Sequence, residues 1–193
     1  GGAVLLEGVP VKVGFAPAGV ITPDMTLATG ALSGLTLNGT PIVSTDAGVM
    51  GGGALGAALA VRDELAPAYQ TQIDALARNL IERVSAPGVD PSLAAGQPGL
   101  LTDAGSAFDP LTEIGLAGRI AVNTAVDPAR GGALWRLRDG IGVATPGAVG
   151  DATRLIALSN AMAAPLVPAS GGFLGAGRSA SGLAADILSQ VAS

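Results

Sequence analysis

One stretch, Gly51 to Val84 (GGGALGAALAVRDELAPAYQTQIDALARNLIERV), limits what this chain can fold into more than any other. Tyr69, Ile73, Leu76, Ala77, Leu80 and Val84 recur mostly at steps of three and four, which places them on one helical face and leaves Gln70, Gln72, Asp74 and Arg78 off it. Leu55, Ala58, Leu59 and Leu65 continue the spacing upstream. Pro67, however, lacks an amide hydrogen and its ring crowds the carbonyl of Asp63, so a kink or break is expected there. Asp74 and Arg78 stand four apart in the favourable order for an ion pair along the helix, worth about 0.2–0.5 kcal/mol. A helix with one long apolar face needs partners, and these must come from the rest of the chain.

Two later segments carry matching stripes. Asp151 can cap a helix bearing Leu155, Ile156, Leu158 and Met162 before Pro165 stops it, and Ser181 can cap a last helix bearing Leu183, Ala184, Ile187, Leu188 and Val191. The expected packing sets Ile73, Leu76 and Leu80 against Leu155, Leu158, Leu183 and Ile187, because amphipathic helices bury their faces most simply against each other. With 49% of residues hydrophobic but only 3% aromatic, the core has to be built from Ala, Leu, Val and Ile.

The first fifty residues read as β structure. Ala3–Leu6 and Val9–Phe15 are short β-prone runs, and Leu35-Thr36-Leu37, Asn38-Gly39, Thr40–Val43 is a hairpin signal with turn residues that tolerate positive φ. Pro10 and Pro41 point to edge positions. Residues 86–115 read as a Gly/Pro-rich loop, Leu116–Asn123 as a strand, and Asp127-Pro128 to Asp139-Gly140 as a helix between start and stop signals. The fold expected is therefore α+β: one structural domain over 1–193, with a helical bundle (helices near 52–65, 67–84, 151–164 and 181–192) flanked by antiparallel β-hairpins.

Chemistry is constrained by what is missing. The sequence has no cysteine and no histidine, which removes thiolate nucleophiles, disulfides, and the commonest general base and metal ligand. A net charge of −5 argues against nucleic acid, and no apolar run is long enough to span a bilayer, so no membrane partner is expected. Lys12 is the sole lysine, and the acidic residues form no recognisable paired motif. Gly51, Gly53 and Gly56 match G-x-G-x-x-G, but the acidic residue a dinucleotide fold needs after a second strand is replaced by Asp74 within a helix, which favours a small-residue helix entry. Trp135, Arg136, Arg138 and Asp139 form the densest polar-aromatic cluster; a packed indole with locally paired arginines explains it better than an anion site. Asn38-Gly39-Thr40 matches the glycosylation pattern, which the hairpin turn explains equally well. No catalytic, cofactor-binding or metal residue is assigned, and no enzyme activity is expected.

Several segments resemble a known family. The glycine run followed by Ala-Leu-Gly-Ala-Ala-Leu, Val-Arg-Asp-Glu-Leu-Ala-Pro and Gln-Ile-Asp-Ala-Leu-Ala, the opening Gly-Gly-Ala-Val-Leu-Leu, Gly-Leu-Ala-Gly-Arg-Ile-Ala-Val-Asn at 115–123, Asp-Pro-Ala-Arg-Gly-Gly-Ala-Leu-Trp-Arg-Leu-Arg-Asp-Gly at 127–140, and Asp151-Ala-Thr-Arg-Leu together resemble the flagellar hook-associated protein of the hook-to-filament junction (FlgK family). The resemblance implies a structural subunit of the bacterial flagellum without catalytic activity. It implies export through the flagellum's own channel to an extracellular location. The implied partners are the hook protein, a second hook-associated junction protein and further copies of the full-length chain. Relatives carry terminal helical arms and often a β-rich outer insertion. This sequence is expected to be the body without those arms, monomeric by itself, with residues 85–115 in the place of the insertion. The alternatives are a secreted binding or adhesion module and, further off, a nucleotide-binding enzyme using the Gly51–Gly56 loop.

Overall fold

Short antiparallel strands and helices of very different length follow one another along the chain, an α+β fold. The structure is a computed structural model that describes residues 6–7, 9–43 and 53–191. Its packing divides into two compact units, residues 1–70 and 71–193.

In the first unit, β1 (Leu6–Glu7) pairs antiparallel with β2 (Val9–Pro10), and β3 (Val13–Gly14), β4 (Thr36–Leu37) and β5 (Thr40–Pro41) form a sheet in that order. Residues 3–5 of the first expected strand lie outside the described residues. The hairpin at Asn38-Gly39 is present, with Leu37 opposite Thr40 and Thr36 opposite Pro41. Asn38 at φ 51° and Gly39 at φ 82° adopt the two positive angles that a type I′ turn requires. Pro41 sits on the edge strand, where its missing amide interrupts no ladder. Among the described residues of this unit, Leu32, Leu35 and Leu59 are the buried hydrophobic side chains.

Helix α1 (Ala54–Ala60), a π-helical turn (Val61–Leu65) and α2 (Ala66–Ser85) succeed one another without a gap. The break expected at Pro67 is thus absent. The Ala66 amide reaches back five residues to the Val61 carbonyl, so the turn just before the proline is one residue wider, and the widening takes up the ring's clash. Arg62 in that turn donates to the Ser33 carbonyl at 3.0 Å and stacks 5.6 Å from the Phe15 ring centroid, tying the extended segment to the helix.

In the second unit, the burial of α2 differs from the expected stripe. Asp74, Ala75, Ala77, Asn79, Ile81, Arg83 and Val84 are buried, whereas Ile73 is 39% exposed and Leu76 and Leu80 are half-buried. The helix is covered on more than one side. Ala77 and Ile81 pack with the fully buried Leu116, and Leu101, Phe108, Ala117 and Ile120 surround them. Elsewhere the neighbouring segments present backbone ends instead of apolar side chains, and those ends need polar partners.

Asp74 shows this most plainly. Its carboxylate accepts from the amides of Gly115 and Ala117, both at 2.7 Å, and so caps α3 (Leu116–Arg119) from 41 residues away. Arg78, expected to pair with Asp74, reaches Glu82 at 2.7 Å and Glu113 at 2.9 Å. The strand expected over 116–123 accordingly survives only as β7 (Ile120–Val122), because its first half winds into α3. β7 pairs antiparallel with β6 (Leu101–Asp103), Thr102 opposite Ala121, inside the segment expected to be loop.

The helix expected from Asp127 to Asp139 is split. A 3-10 turn over Pro128–Arg130, capped by Asp127, ends at Gly131 with φ 82°. At Gly132 a Cβ would lie 2.1 Å from the Thr124 carbonyl oxygen, so glycine alone permits that approach. The chain restarts as α4 (Trp135–Asp139). Helices α5 (Thr153–Ala163) and α6 (Ala180–Val191) lie where the sequence places them. Asp151 accepts from the Thr153 amide at 2.9 Å as expected, while Ser179, not Ser181, caps α6 by accepting from Gly182 at 3.0 Å. Leu183 and Ile187 are buried. Replacing Ile81 by valine removes one methylene from the Leu116 cluster and is expected to lower stability by about 0.5–1.5 kcal/mol, read from urea melts followed by the single tryptophan, Trp135, which belongs to this unit.

Candidate interaction face

Helix α5 is turned the opposite way from an ordinary surface helix. Its one buried residue is Arg154, while Leu155 is 41%, Ile156 58% and Met162 37% exposed. Leu155, Ile156, Ser159, Met162 and Ala163 lie at steps of three and four on the outer side, and Leu166 and Val167 continue beyond Pro165, both exposed. Leu155 was expected in the bundle core; its exposure corrects that expectation. The outward face carries no charge, since Arg154 is the only ionisable residue between Thr153 and Ala163. A contiguous apolar surface of this kind marks an interaction site more often than scattered exposed leucines do.

Arg154 fixes the orientation. It donates to Asp90 Oδ2 at 2.7 Å, to the Arg136 carbonyl at 3.2 Å, and to the Leu137 carbonyl. Those carbonyls sit in the last turn of α4, where the Arg136 one also accepts from the Gly140 amide at 2.9 Å and the Leu137 one has no following turn to satisfy it. Asp90, itself fully enclosed, also accepts from the Ile141 amide at 3.1 Å and from the Ser92 amide at 3.2 Å. The buried ion pair therefore joins a turn, the end of α4 and the start of α5, and the rotation it imposes on α5 puts the aliphatic residues outside.

Beside this pair lies a cleft of about 310 Å³ whose walls include Gly88, Pro91, Arg138, Asp139, Asp151 and Arg154. Its two arginines are already paired. Arg138 forms a bidentate pair with Asp139 at 2.6 and 2.7 Å, and Asp139 accepts from the Gly147 amide at 2.9 Å. These bonds, the Arg138 one first, hold the Asp139 carboxyl down at about 2. Because the folded value lies below the ordinary 3.8, ionised Asp139 favours the folded state above that pH, and its contribution is lost as pH falls from there through 2. An NMR titration of the Asp139 carboxyl is expected to read close to 2 and to move toward the ordinary value in Arg138→Ala.

The Trp135 cluster is structural. The Arg136 guanidinium lies 4.8 Å over the indole and donates to the Ile141 carbonyl at 2.7 Å, so the arginines are locally paired as expected. Trp135, however, is half-buried and not a core anchor. Of the glycine motif, Gly51 lies outside the described residues; Gly53 precedes α1 as its cap and Gly56 is buried within it. Asn38 is exposed and bonded to Lys12. Among the described residues, no helix is long and apolar enough to cross a membrane. The α5 residues were legible as a stripe in the sequence; what periodicity lacks is which way the stripe faces.

Comparison with protein-family models, curated proteins and solved structures finds no match. Any assignment therefore rests on the segments quoted from the sequence and on the geometry above.

Proposed function

We propose that this chain is the body of a structural subunit of the bacterial flagellum, of the kind that joins hook to filament, and that it has no catalytic role. The observation that carries the reading is where the resembling segments lie. Residues 115–123 and 127–140 fold around α2 and α5, and their polar side chains hold the body together. Arg119 binds Asp103 at 2.6 Å and the Ile114 carbonyl at 2.8 Å, Asn123 binds the Gly99 carbonyl at 2.8 Å, and Arg136 binds the Ile141 carbonyl. Segments whose polar side chains are taken up by internal hydrogen bonds suit a building block better than an enzyme, whose polar groups converge on a pocket. On this reading the protein leaves the cell through the flagellar export channel and packs against the hook protein, a second junction protein and its own copies.

The charge-free face of α5 is then a packing surface for a neighbouring subunit. A secreted binding module would also expose such a face, and location separates the two. A fluorophore on the full-length product in its own bacterium is expected at one point per flagellum, at the hook-to-filament boundary; label elsewhere on the cell surface favours the binding module. Leu155→Glu with Ile156→Lys should leave the melting of the isolated chain within about 0.5 kcal/mol, as at exposed positions generally, yet detach filaments from hooks. Filaments that remain attached would remove α5 from the interface. By itself the chain is expected to sediment as a monomer at micromolar concentration, and a nucleotide thermal-shift screen is expected to show no stabilisation through Gly51–Gly56.

A further inference from the structure

The geometry at the first unit's hairpin points to a self-modification site: we propose that Asn38 converts spontaneously, through a cyclic imide with Gly39, to aspartate and isoaspartate in the folded protein. Of the four asparagines, Asn38 alone precedes glycine. The missing side chain leaves the Gly39 nitrogen unscreened, and a Cβ built there would meet nothing within 4 Å. Asn38 is exposed, and an open cleft of about 430 Å³ lined by Lys12, Gly14, Thr36, Asn38 and Gly39 gives solvent access. Among the described residues, neither Asn38 Nδ2 nor the Gly39 amide has a hydrogen-bond partner, so neither is held back.

The environment also favours attack at the side-chain carbon. The Lys12 amide donates to Asn38 Oδ1 at 2.9 Å, so a fixed backbone donor already faces the oxygen on which negative charge develops as Cγ becomes tetrahedral. A second bond, from the Asn38 amide to the Lys12 carbonyl at 2.8 Å, holds the residue in register. The Gly39 nitrogen loses its proton to solvent base and bonds to Cγ; the Cγ–Nδ2 bond breaks and ammonia leaves with a proton taken from water. Water then opens the ring at either carbonyl. One opening gives aspartate, the other isoaspartate, and no electrons are exchanged with an outside partner.

The other asparagines lack this combination. Asn79 is 1% exposed and precedes leucine. Asn123 is engaged at both side-chain atoms, donating to the Gly99 carbonyl and accepting from Ala125 at 2.9 Å. Asn160 lies inside α5 and precedes alanine. Isoaspartate would add a methylene to the main chain in a turn that has two residues and no spare length, releasing β5 from β4. Either product also carries the net charge one unit beyond −5.

The test uses the intact wild-type chain, incubated at physiological temperature in neutral and mildly alkaline buffer, with aliquots analysed by isoelectric focusing and peptide mapping. The expected result is an acidic species that accumulates faster at higher pH, with the exchange of NH2 for OH mapped to position 38, isoaspartate among the products, and the other three asparagines intact. Asn38→Gln, which would have to form a larger ring, should abolish the acidic species without altering the circular dichroism. If position 38 is unchanged in the folded chain while the same chain in urea converts there, the hairpin protects the residue and the proposal is wrong. It is equally wrong if another asparagine converts first.

Discussion

Arg83→Met is expected to destabilise the second unit by about 2–4 kcal/mol, since each buried acceptor left without its donor costs about 1–3 kcal/mol. Arg83 is 4% exposed, and among the described residues no carboxylate pairs with it. Its fork donates instead to Asn79 Oδ1 at 2.7 Å, to the carbonyls of Ala161 at 2.6 Å and Ala164 at 2.7 Å, and to the Arg178 carbonyl. Ala161 and Ala164 end α5, where the helix dipole is negative and the carbonyls have no following turn. The Arg178 carbonyl also belongs to the bridge between Leu166 and Arg178. Burial alone pushes the guanidinium below its ordinary value, yet arginine stays charged at any pH at which the protein folds. Methionine fills the same space and keeps helix propensity, so the loss would report the acceptors left without a donor, Asn79 Oδ1 and the Ala161 carbonyl above all, since the Arg178 carbonyl keeps the Leu166 amide. Arg83→Lys is the sharper comparison: it keeps the charge but cannot serve several carbonyls in one plane, and it should recover less than half of the loss. Melts followed by Trp135 fluorescence check both, and a loss under about 1 kcal/mol for Arg83→Met would show that water satisfies those carbonyls in the variant.

The elements that sequence made legible are those with local causes. Asn38-Gly39 dictates its turn through two positive φ values, Asp151 caps its helix two residues on, and the 3.6-residue pattern places α2, α5 and α6 within a few residues of where they lie. What stayed hidden has distant causes. No local rule tells Asp74 to cap α3, since the bond spans 41 residues and turns half of an expected strand into helix. Nor does periodicity distinguish a polar position facing water from one facing a helix end, which is why Asp74 falls off the apolar face in the sequence and is buried in the structure, as are Asn79 and Arg83. The α5 face was hidden for the same reason. Its leucine and isoleucine formed a good stripe, and the direction of that stripe was set by Arg154, whose partners Asp90, Arg136 and Leu137 lie 17 to 64 residues away.

That dependence gives the second large expected effect. Asp90→Ala should cost about 3–5 kcal/mol, because it leaves the buried Arg154 charge without its counter-ion and the Ile141 amide without an acceptor. The side chain of Asp90 has no exposed surface and that of Arg154 only 6%, so solvent cannot screen or replace the lost partner. Arg154→Met alone should cost a similar amount, since it leaves the enclosed Asp90 carboxylate without its counter-ion and the Leu137 carbonyl without its donor, while the Arg136 carbonyl keeps the Gly140 amide. The pair is informative when both are changed. With Asp90→Ala and Arg154→Met together no unpaired charge remains, and the double variant should be more stable than the sum of the single losses by about 1–3 kcal/mol. Strict additivity would mean that the two groups act through separate neighbours and that the ion pair does not set the orientation of α5. The orientation has its own readout. If Arg154 is what turns the helix, the Arg154→Met variant, and not the Ile81→Val variant of similar helix content, should alter the accessibility of a cysteine placed at Ser159 to a maleimide, against a native background free of cysteine. Unchanged labelling in a destabilised but folded Arg154→Met protein would separate stability from orientation, and the outward face of α5 would then have to be explained by packing alone.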